Sequence, residues 1–594
     1  MVDFGVRPGI DIRIELHPPW PTDAEPSIAE ESGANVDASS GAVRHGGEPA
    51  EAAGCALFPV HRTDHLAAYD ELGLPAAGFV NTDRQNSVIS AAVLARALCG
   101  TVFGLDGVRV EVEADIADGL PGFHIVGLGD RALQEARERV KIAINNSGFE
   151  FPGRRVTVNL APAQLPKEGT GFDLAIAAAV VNAAGDRPLP SDAAWLGELA
   201  LDGAVRPIRG TLAITAHLDR LGVRRFYVPS ANVAEARIAT AAPVHGVGHL
   251  RDLKAHWEAG APLTGAPGLR RDVVSGAPPP VDLADIRGQP HAKRALEVAA
   301  AGAHHLLLVG PPGAGKTLLA RALPGILPAL PHQEAVEVTS IASCVGMLPP
   351  GAGLLEVPPF RAPHHTISPA ALVGGGGATP RPGEVTRAHR GVLFMDEITE
   401  FRRDALESLR QPLEEGKLAV ARTRGHAVLP GRFILVAAAN PCPCGFAGDP
   451  KRFCECTPLE RQRYRARLSG PIRDRIDLQV TVPRQAAGEL LRAEVVVEAS
   501  ATVRERVIQA REHQRRRRPQ GPLNGALTGT QLRKDAVLDA TCQVLLETAA
   551  DRLQLSGRAV HRVLRVARTI ADLDDRLQID ESHIAEALQY RESG

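Results

Sequence analysis

Eight consecutive residues, Gly310-Pro311-Pro312-Gly313-Ala314-Gly315-Lys316-Thr317, follow the pattern G-x-x-x-x-G-K-[ST] at every position. The neighbours suit it: His305–Val309 reads as a buried strand before the loop, and Leu318–Leu323 as the opening of a helix after it. Glycines there let successive backbone N–H groups turn inward at the positive end of a helix, a favourable place for phosphate oxygens. In such a loop Lys316 reaches the β- and γ-phosphates of a nucleotide, and the Thr317 hydroxyl ligates Mg²⁺. A chance glycine-rich turn does not account for the flanking strand and helix together.

A second chemical cluster closes another apolar run, Gly391-Val392-Leu393-Phe394-Met395-Asp396-Glu397. We read this run as a central strand whose carboxyl end lies beside the phosphate loop. Asp396 would then hold Mg²⁺ through water, and Glu397 would polarise the attacking water. The alternative is a plain strand terminus. Phe433–Ala439 reads as a further strand, with Asn440 at its end to orient that water from an adjacent strand; the alternative there is a turn-forming Asn before Pro441.

Cys442-x-Cys444 and Cys454-x-Cys456 offer four thiols close in sequence. In a reducing compartment they suit a tetrahedral Zn²⁺ site, although C-x-C is tighter than the usual C-x₂₋₄-C; thiols that pack a loop are the other reading. Cys55, Cys99, Cys344 and Cys542 stand alone and read as small buried hydrophobes. His364-His365 is an adjacent pair, which suits a loop better than a metal site.

The elements that must position these groups follow from composition and periodicity. At roughly 100–200 residues per domain, 594 residues predict several structural units. Residues 1–88 lack periodicity and are rich in acid, Gly, Pro and Ser, so we read them as a mostly disordered acidic extension, with a small module around Val60–Leu74 as the lesser reading. Residues 1–90 carry a net charge of −9 and the remainder +7, a mildly basic body compatible with nucleic acid. From 89 to 260 the pattern is α/β. Val102–Val112, His124–Leu128 and Val156–Leu160 read as strands. A helix capped by Asp130 carries Leu133, Ala136, Val140 and Ile144 on one face, and Gly171–Ala184 reads as a buried helix. Residues 261–280 form a Pro/Gly-rich linker, 281–484 alternate strand and helix as a parallel sheet requires, and 485–594 are helical. No apolar run approaches the ~20 residues that span a bilayer, and the start lacks a secretory pattern, so the expected compartment is the cytoplasm, without a membrane partner. At 4% aromatics, base stacking cannot be the main design.

On these residues the chain resembles the AAA+ ATPases of the magnesium-chelatase-like group. The likeness rests on Asp285-Ile286-Arg287-Gly288-Gln289 and on the long Ser340–Thr386 insertion. Phe360-Arg361-Ala362-Pro363-His364-His365-Thr366, Arg381-Pro382-Gly383-Glu384 and Asn440-Pro441-Cys442-Pro443-Cys444-Gly445 resemble the ComM/YifB family in particular. The resemblance covers about residues 90–590. It implies a homo-oligomeric ring, usually hexameric, with ATP and Mg²⁺ between subunits. It also implies an arginine finger at Arg475, with Arg473 as rival and an ordinary ion pair to Asp474 or Asp477 as the alternative, and a second sensor at Arg558 in Ser556-Gly557-Arg558.

Pro166-Lys167-Glu168-Gly169-Thr170-Gly171 and Gly197-Glu198-Leu199 through Pro207-Ile208-Arg209-Gly210 resemble the S5-type protease domain of Lon. Gly171 stands where that family has its serine, and Leu212 where it has its lysine. Without a base beside a nucleophile, proteolysis is not expected. The implied architecture is a Lon-like α/β domain of chelatase type, a P-loop AAA+ domain and a helical C-terminal lid.

Basic residues are dense from Lys451 to Arg475. Arg422-Thr423-Arg424-Gly425 reads as the tip of a hairpin that resembles the family's pore element, and Arg515–Arg518 adds a run that is otherwise a solvated helix face. The resemblance implies an ATP-driven motor on single-stranded or branched DNA, independent of base sequence: a branch-migration helicase serving recombination or natural transformation. A chelatase-type remodeller of a partner enzyme and a regulatory scaffold are the alternatives.

Overall fold

The computed structural model describes residues 94–127, 131–163, 169–185, 189–263, 281–377, 379–423, 425–449, 451–485 and 498–591, without the side chains of 131–134. The N-terminal extension, most of the linker, Asp130, Pro166-Lys167-Glu168 and Arg424 lie outside these residues.

The first sheet is mixed and seven-stranded. Its strands are β1 (Ala95–Phe103), β2 (Asp106–Ala117), β3 (Gly122–Val126), β4 (Arg155–Ala161), β5 (Ala193–Trp195), β6 (Arg225–Pro229) and β7 (Val244–Val247), in the order β3-β4-β2-β1-β5-β6-β7. The stretch read as one strand over Val102–Val112 is a hairpin bend: β1 and β2 pair antiparallel, with Phe103 opposite Asp106. Gly104 and Leu105 form the two-residue turn inside that stretch, and apolar alternation on both sides hid the break. Helices α1 (Arg131–Asn146), α2 (Asp173–Ala184) and α3 (Thr211–Arg220) cover the sheet. α1 buries Ala136, Val140 and Ile144, whereas Ala-rich α2 is buried along nearly its whole length. Both share one core with Val110, Val112, Val156 and Val158 of the sheet.

The second sheet is parallel throughout. After α4 (Pro290–Gly302) come β8 (Leu306–Val309), α5 (Lys316–Ile326), α6 (His332–Cys344), β9 (Phe360–Arg361) and β10 (Val392–Met395). The hairpin β11 (Lys417–Arg422) and β12 (Gly425–Pro430) precedes β13 (Ile434–Ala439), α7 (Pro458–Arg467) and β14 (Leu478–Thr481). The order is β9-β10-β13-β8-β14. Side chains alternate to two cores, as strand geometry demands: Ile434, Val436 and Ala438 face one, Leu435, Ala437 and Ala439 the other. The first of these cores is completed by the C-terminal helices α8 (Ser500–Arg517), α9 (Ala540–Arg552), α10 (Gly557–Leu573) and α11 (Glu581–Gln589).

The two α/β regions meet through α6. Gly210 N–H donates to Ser343 O at 3.2 Å, and the Ser343 hydroxyl donates to the buried Glu235 carboxylate. No helix among the described residues is long and apolar enough to cross a membrane.

Candidate functional site

The carboxyl ends of three neighbouring strands carry the chemistry, the end where open α/β sheets bind ligands. β8 runs into the phosphate loop, where Gly313 and Gly315 hold φ of +78° and +93°. A Cβ on either would meet nothing within 4 Å, so the loop is an open cradle whose glycines serve backbone conformation. Gly310 is wedged instead: its N–H donates to Ala439 O at 3.2 Å, and a Cβ there would strike Val482 O. These residues fit a nucleotide's phosphates.

The Lys316 ammonium is buried and donates to Gly310 O (2.6 Å), Pro311 O (3.0 Å) and Asn440 Oδ1 (3.1 Å). Burial lowers its pKa, against the pull of Asp396 and Glu397. Thr317 Oγ1 donates to Asp396 Oδ2 at 2.8 Å. Glu397 N–H donates to Asp396 Oδ1 at 3.0 Å. Glu397 itself is exposed and sits at φ 50°, ψ 49°, a left-handed conformation that costs a non-glycine residue on the order of 1–3 kcal/mol.

Both apolar runs are interior strands, as read from the sequence: β13 lies beside the phosphate-loop strand and the acidic strand β10 one place further out, with Asp396 reaching Thr317 at the loop. All six residues of β13 are buried, as a central parallel strand requires. The four apolar residues of β10 are buried too, so their composition could not rank the two. Asn440 therefore sits between the phosphate loop and the acids.

The arginines are dispersed. Arg475 ion-pairs with Glu414, and neither Asp474 nor Asp477 is its partner: Asp474 faces Arg562, and Asp477 is bound to His304. Arg473 is exposed. Arg558 is exposed in the first turn of α10, whose N-cap Ser556 accepts from Ala559 N–H at 3.3 Å.

Several supporting residues escaped the sequence reading because each acts across a long separation. Gln289, buried and left-handed at φ 55°, donates to Ala314 O in the phosphate loop (3.3 Å) and to Pro483 O (2.7 Å). His304 joins Asp477 (3.1 Å) to Thr569 of α10 (2.8 Å). Tyr464 of α7 accepts from Thr399, two residues past Glu397, at 2.7 Å.

The four cysteines converge. Their sulfurs all lie within 4.8 Å of one another. Cys99 and Cys542 are buried as expected, Cys344 is half-buried, and Cys55 lies outside the described residues. His364 and His365 sit in a loop, ring centroids 4.1 Å apart.

Two basic features change character. Arg517 holds buried Asp572 through two bonds of 2.6 Å and Arg518 holds Asp535 at 2.7 Å, leaving Arg515 and Arg516 as the exposed part of that run. Arg422 donates to Gly374 O and Gly376 O instead of standing free at the hairpin tip, and Gly425 lies against Phe103 of the first sheet. Both changes have one cause: acids and carbonyls supplied from distant segments outcompete water for the guanidinium.

At the positions that resemble Lon, the described residues offer no Ser–Lys pair, Gly171 and Leu212 standing there. Thr170 donates to Glu198, and Leu212 is buried with its N–H donating to Glu235 at 2.8 Å.

Residues 282–490 match the family described as magnesium chelatase, subunit ChlI; residues 112–232 match subunit ChlI of Mg-chelatase, and 497–591 its C-terminal family. The chain is 47% identical over 508 residues to an uncharacterized protein of Mycobacterium tuberculosis, covering 84% of this chain and 99% of that one. It is 42% identical over 495 residues to the uncharacterized protein YifB of Escherichia coli (82% and 95% covered). To the competence protein ComM of Haemophilus influenzae it is 41% identical over 493 residues, with the same coverage. A local likeness, 29% over 137 residues or 22% of this chain, relates it to 18% of a Lon protease of Mycolicibacterium smegmatis.

Proposed function

Because this chain belongs to the ComM/YifB-type magnesium-chelatase-like family, we propose that its AAA+ ATPase core drives a homo-oligomeric ring, six-membered by family expectation, along single-stranded or branched DNA without reading base sequence. The convergence of Thr317, Asp396 and Asn440 at one end of the parallel sheet carries the ATPase part of this reading.

The amides of Gly310–Gly315 and Lys316 hold the phosphates of ATP, and Thr317 and Asp396 hold Mg²⁺, which neutralises charge on the phosphoryl oxygens. Glu397 draws the proton of the attacking water, and Asn440 orients that water. Arg475 exchanges Glu414 for the nucleotide of a neighbouring copy, a role that a head-to-tail ring interface permits. Arg558 reaches the same nucleotide from the helical lid. This reading divides the chain into an extension (1–88), a non-proteolytic Lon-like domain (89–260), a linker (261–280), the ATPase core (281–484) and the lid (485–594), working in the cytoplasm.

DNA contact falls mainly to the exposed basic positions of α7 and its approach, Lys451, Arg452, Arg463 and Arg467, which suit a phosphate backbone. The name of one relative, competence protein, supports a role in natural transformation. The test is ATP hydrolysis with and without single-stranded DNA and a four-way junction, with electron microscopy of the junction complex. Stimulation and a ring around DNA are expected; unstimulated hydrolysis would favour a chelatase-type remodeller or a scaffold.

A further inference from the structure

We propose that Cys442, Cys444, Cys454 and Cys456 form a tetrathiolate zinc site that braces the phosphate loop, so that metal occupancy sets nucleotide affinity. The second half of this statement rests on the nucleotide-binding reading above.

The geometry is that of one ion. Cys442 Sγ lies 3.3 Å from Cys444 Sγ and 3.6 Å from Cys454 Sγ, and the latter two are 3.5 Å apart. A tetrahedron with bonds of about 2.3 Å has edges of roughly 3.8 Å. A cluster of several irons would spread its thiolates around more than one metal atom. Backbone donors already serve the sulfurs: Ala447 N–H reaches Cys442 Sγ at 3.3 Å, and Cys444 N–H reaches Cys456 Sγ at 3.4 Å. Such bonds stabilise ligating thiolates and fix their orientation. Loop packing is a poor rival, because Cys442 alone of the four thiols is fully buried. Cys444, Cys454 and Cys456 are only partly buried, and the neighbouring Phe453 is 90% exposed.

The brace is a direct contact. Gly445 closes the turn at Cys442, its N–H donating to Cys442 O at 3.0 Å, and stands at φ +86°. A Cβ at this buried glycine would lie 2.6 Å from Cδ of Pro312, so the cysteine turn rests on the phosphate loop itself. Two residues before Cys442, Asn440 accepts from Lys316. The metal thus ties a long polar loop to both sides of the lysine, and such a loop folds with its metal.

Elemental analysis of the full chain, purified without chelators, should find about one zinc per chain and no stoichiometric iron. Cys444→Ser with Cys454→Ser should lose the zinc and weaken binding of a fluorescent ATP analogue by roughly tenfold to a hundredfold. Gly445→Ala keeps all four thiols: it should retain zinc, keep its unfolding temperature within a few degrees and still lose nucleotide affinity at least about tenfold. Absence of zinc from the wild-type chain overturns the site. Zinc present, with wild-type affinity in both variants, overturns the brace. Failure of the zinc-loaded wild-type chain to bind the analogue would instead refute the nucleotide reading.

Discussion

Thr317 Oγ1 donates to Asp396 Oδ2 at 2.8 Å, although the two residues are 79 positions apart. The hydroxyl at the start of α5 and the carboxylate at the end of β10 thus face one point, the arrangement that the proposed phosphoryl-transfer site needs for its metal.

Lys316→Ala should abolish binding of ATP, whereas Glu397→Gln should bind it normally and hydrolyse it about 10²–10⁴-fold more slowly, the usual scale for a lost general base. Equilibrium binding and steady-state turnover measured on the same preparations separate the two. Hydrolysis at the normal rate by Glu397→Gln would refute the role given to this acid.

Arg475→Ala should still bind ATP and form rings yet hydrolyse poorly. Mixing it with Glu397→Gln should restore part of the activity, because only mixed rings join an intact Arg475 to an intact Glu397 across one interface. Arg473→Ala, tested in the same mixture, decides between the two arginines. No recovery in verified mixed rings would exclude a finger acting between subunits.

Gln289→Ala removes two donors that tie the phosphate loop to the end of β14. At about 1 kcal/mol per bond, nucleotide affinity should fall by up to roughly thirtyfold with little change in the rate at saturation. An unchanged affinity in a titration would show that Gln289 is a bystander.

Asp477 gives the fold a measurable acid response. Burial alone would raise its pKa, but the bond from His304 and neighbouring positive charge hold it at about 2, below the ordinary 3.8. A depressed carboxylate stabilises the fold above its unfolded pKa and ceases to do so as pH falls through the folded one. Asp477 should therefore contribute roughly 2 kcal/mol that is lost between pH 4 and pH 2. Denaturant unfolding of wild type and Asp477→Asn across that window should show the two curves converging; parallel curves would exclude the linkage.

Glu235→Ala should lower the unfolding temperature. The carboxylate is buried and accepts from Leu212 N–H and Asn232 Nδ2, each at 2.8 Å, and from Ser343 across the junction of the two α/β regions. Hydrogen bonds to a charged group contribute about 1.5–3 kcal/mol, so a loss of at least that size is expected by calorimetry. A thermogram identical to wild type would refute it.

Residues 310–317, the acids at 396–397 and Asn440 were legible from the sequence because each is a contiguous signal. A glycine-lysine loop or an apolar run ending in acid carries its chemistry within a few residues. The α/β character of both regions and the faces of α1 and β4 were legible for the same reason, since helical and strand periodicities are local. The hairpin bend at Gly104 was not, because apolar alternation continues on both sides of it.

What only the tertiary structure decided is which of these pieces touch. Two apolar runs of similar composition could not say that β13 would lie between β8 and β10, since strand order follows from the packing of the whole sheet. An arginine run could not say that Arg517 would be held by Asp572 and Arg518 by Asp535. Nor could two C-x-C pairs say that their sulfurs would meet, with Gly445 against Pro312. Sequence alone settles backbone conformations and charges that short segments impose on themselves. A guanidinium, a thiol or a glycine face acquires its role from the distant partner that desolvates it, and chain folding alone brings that partner near.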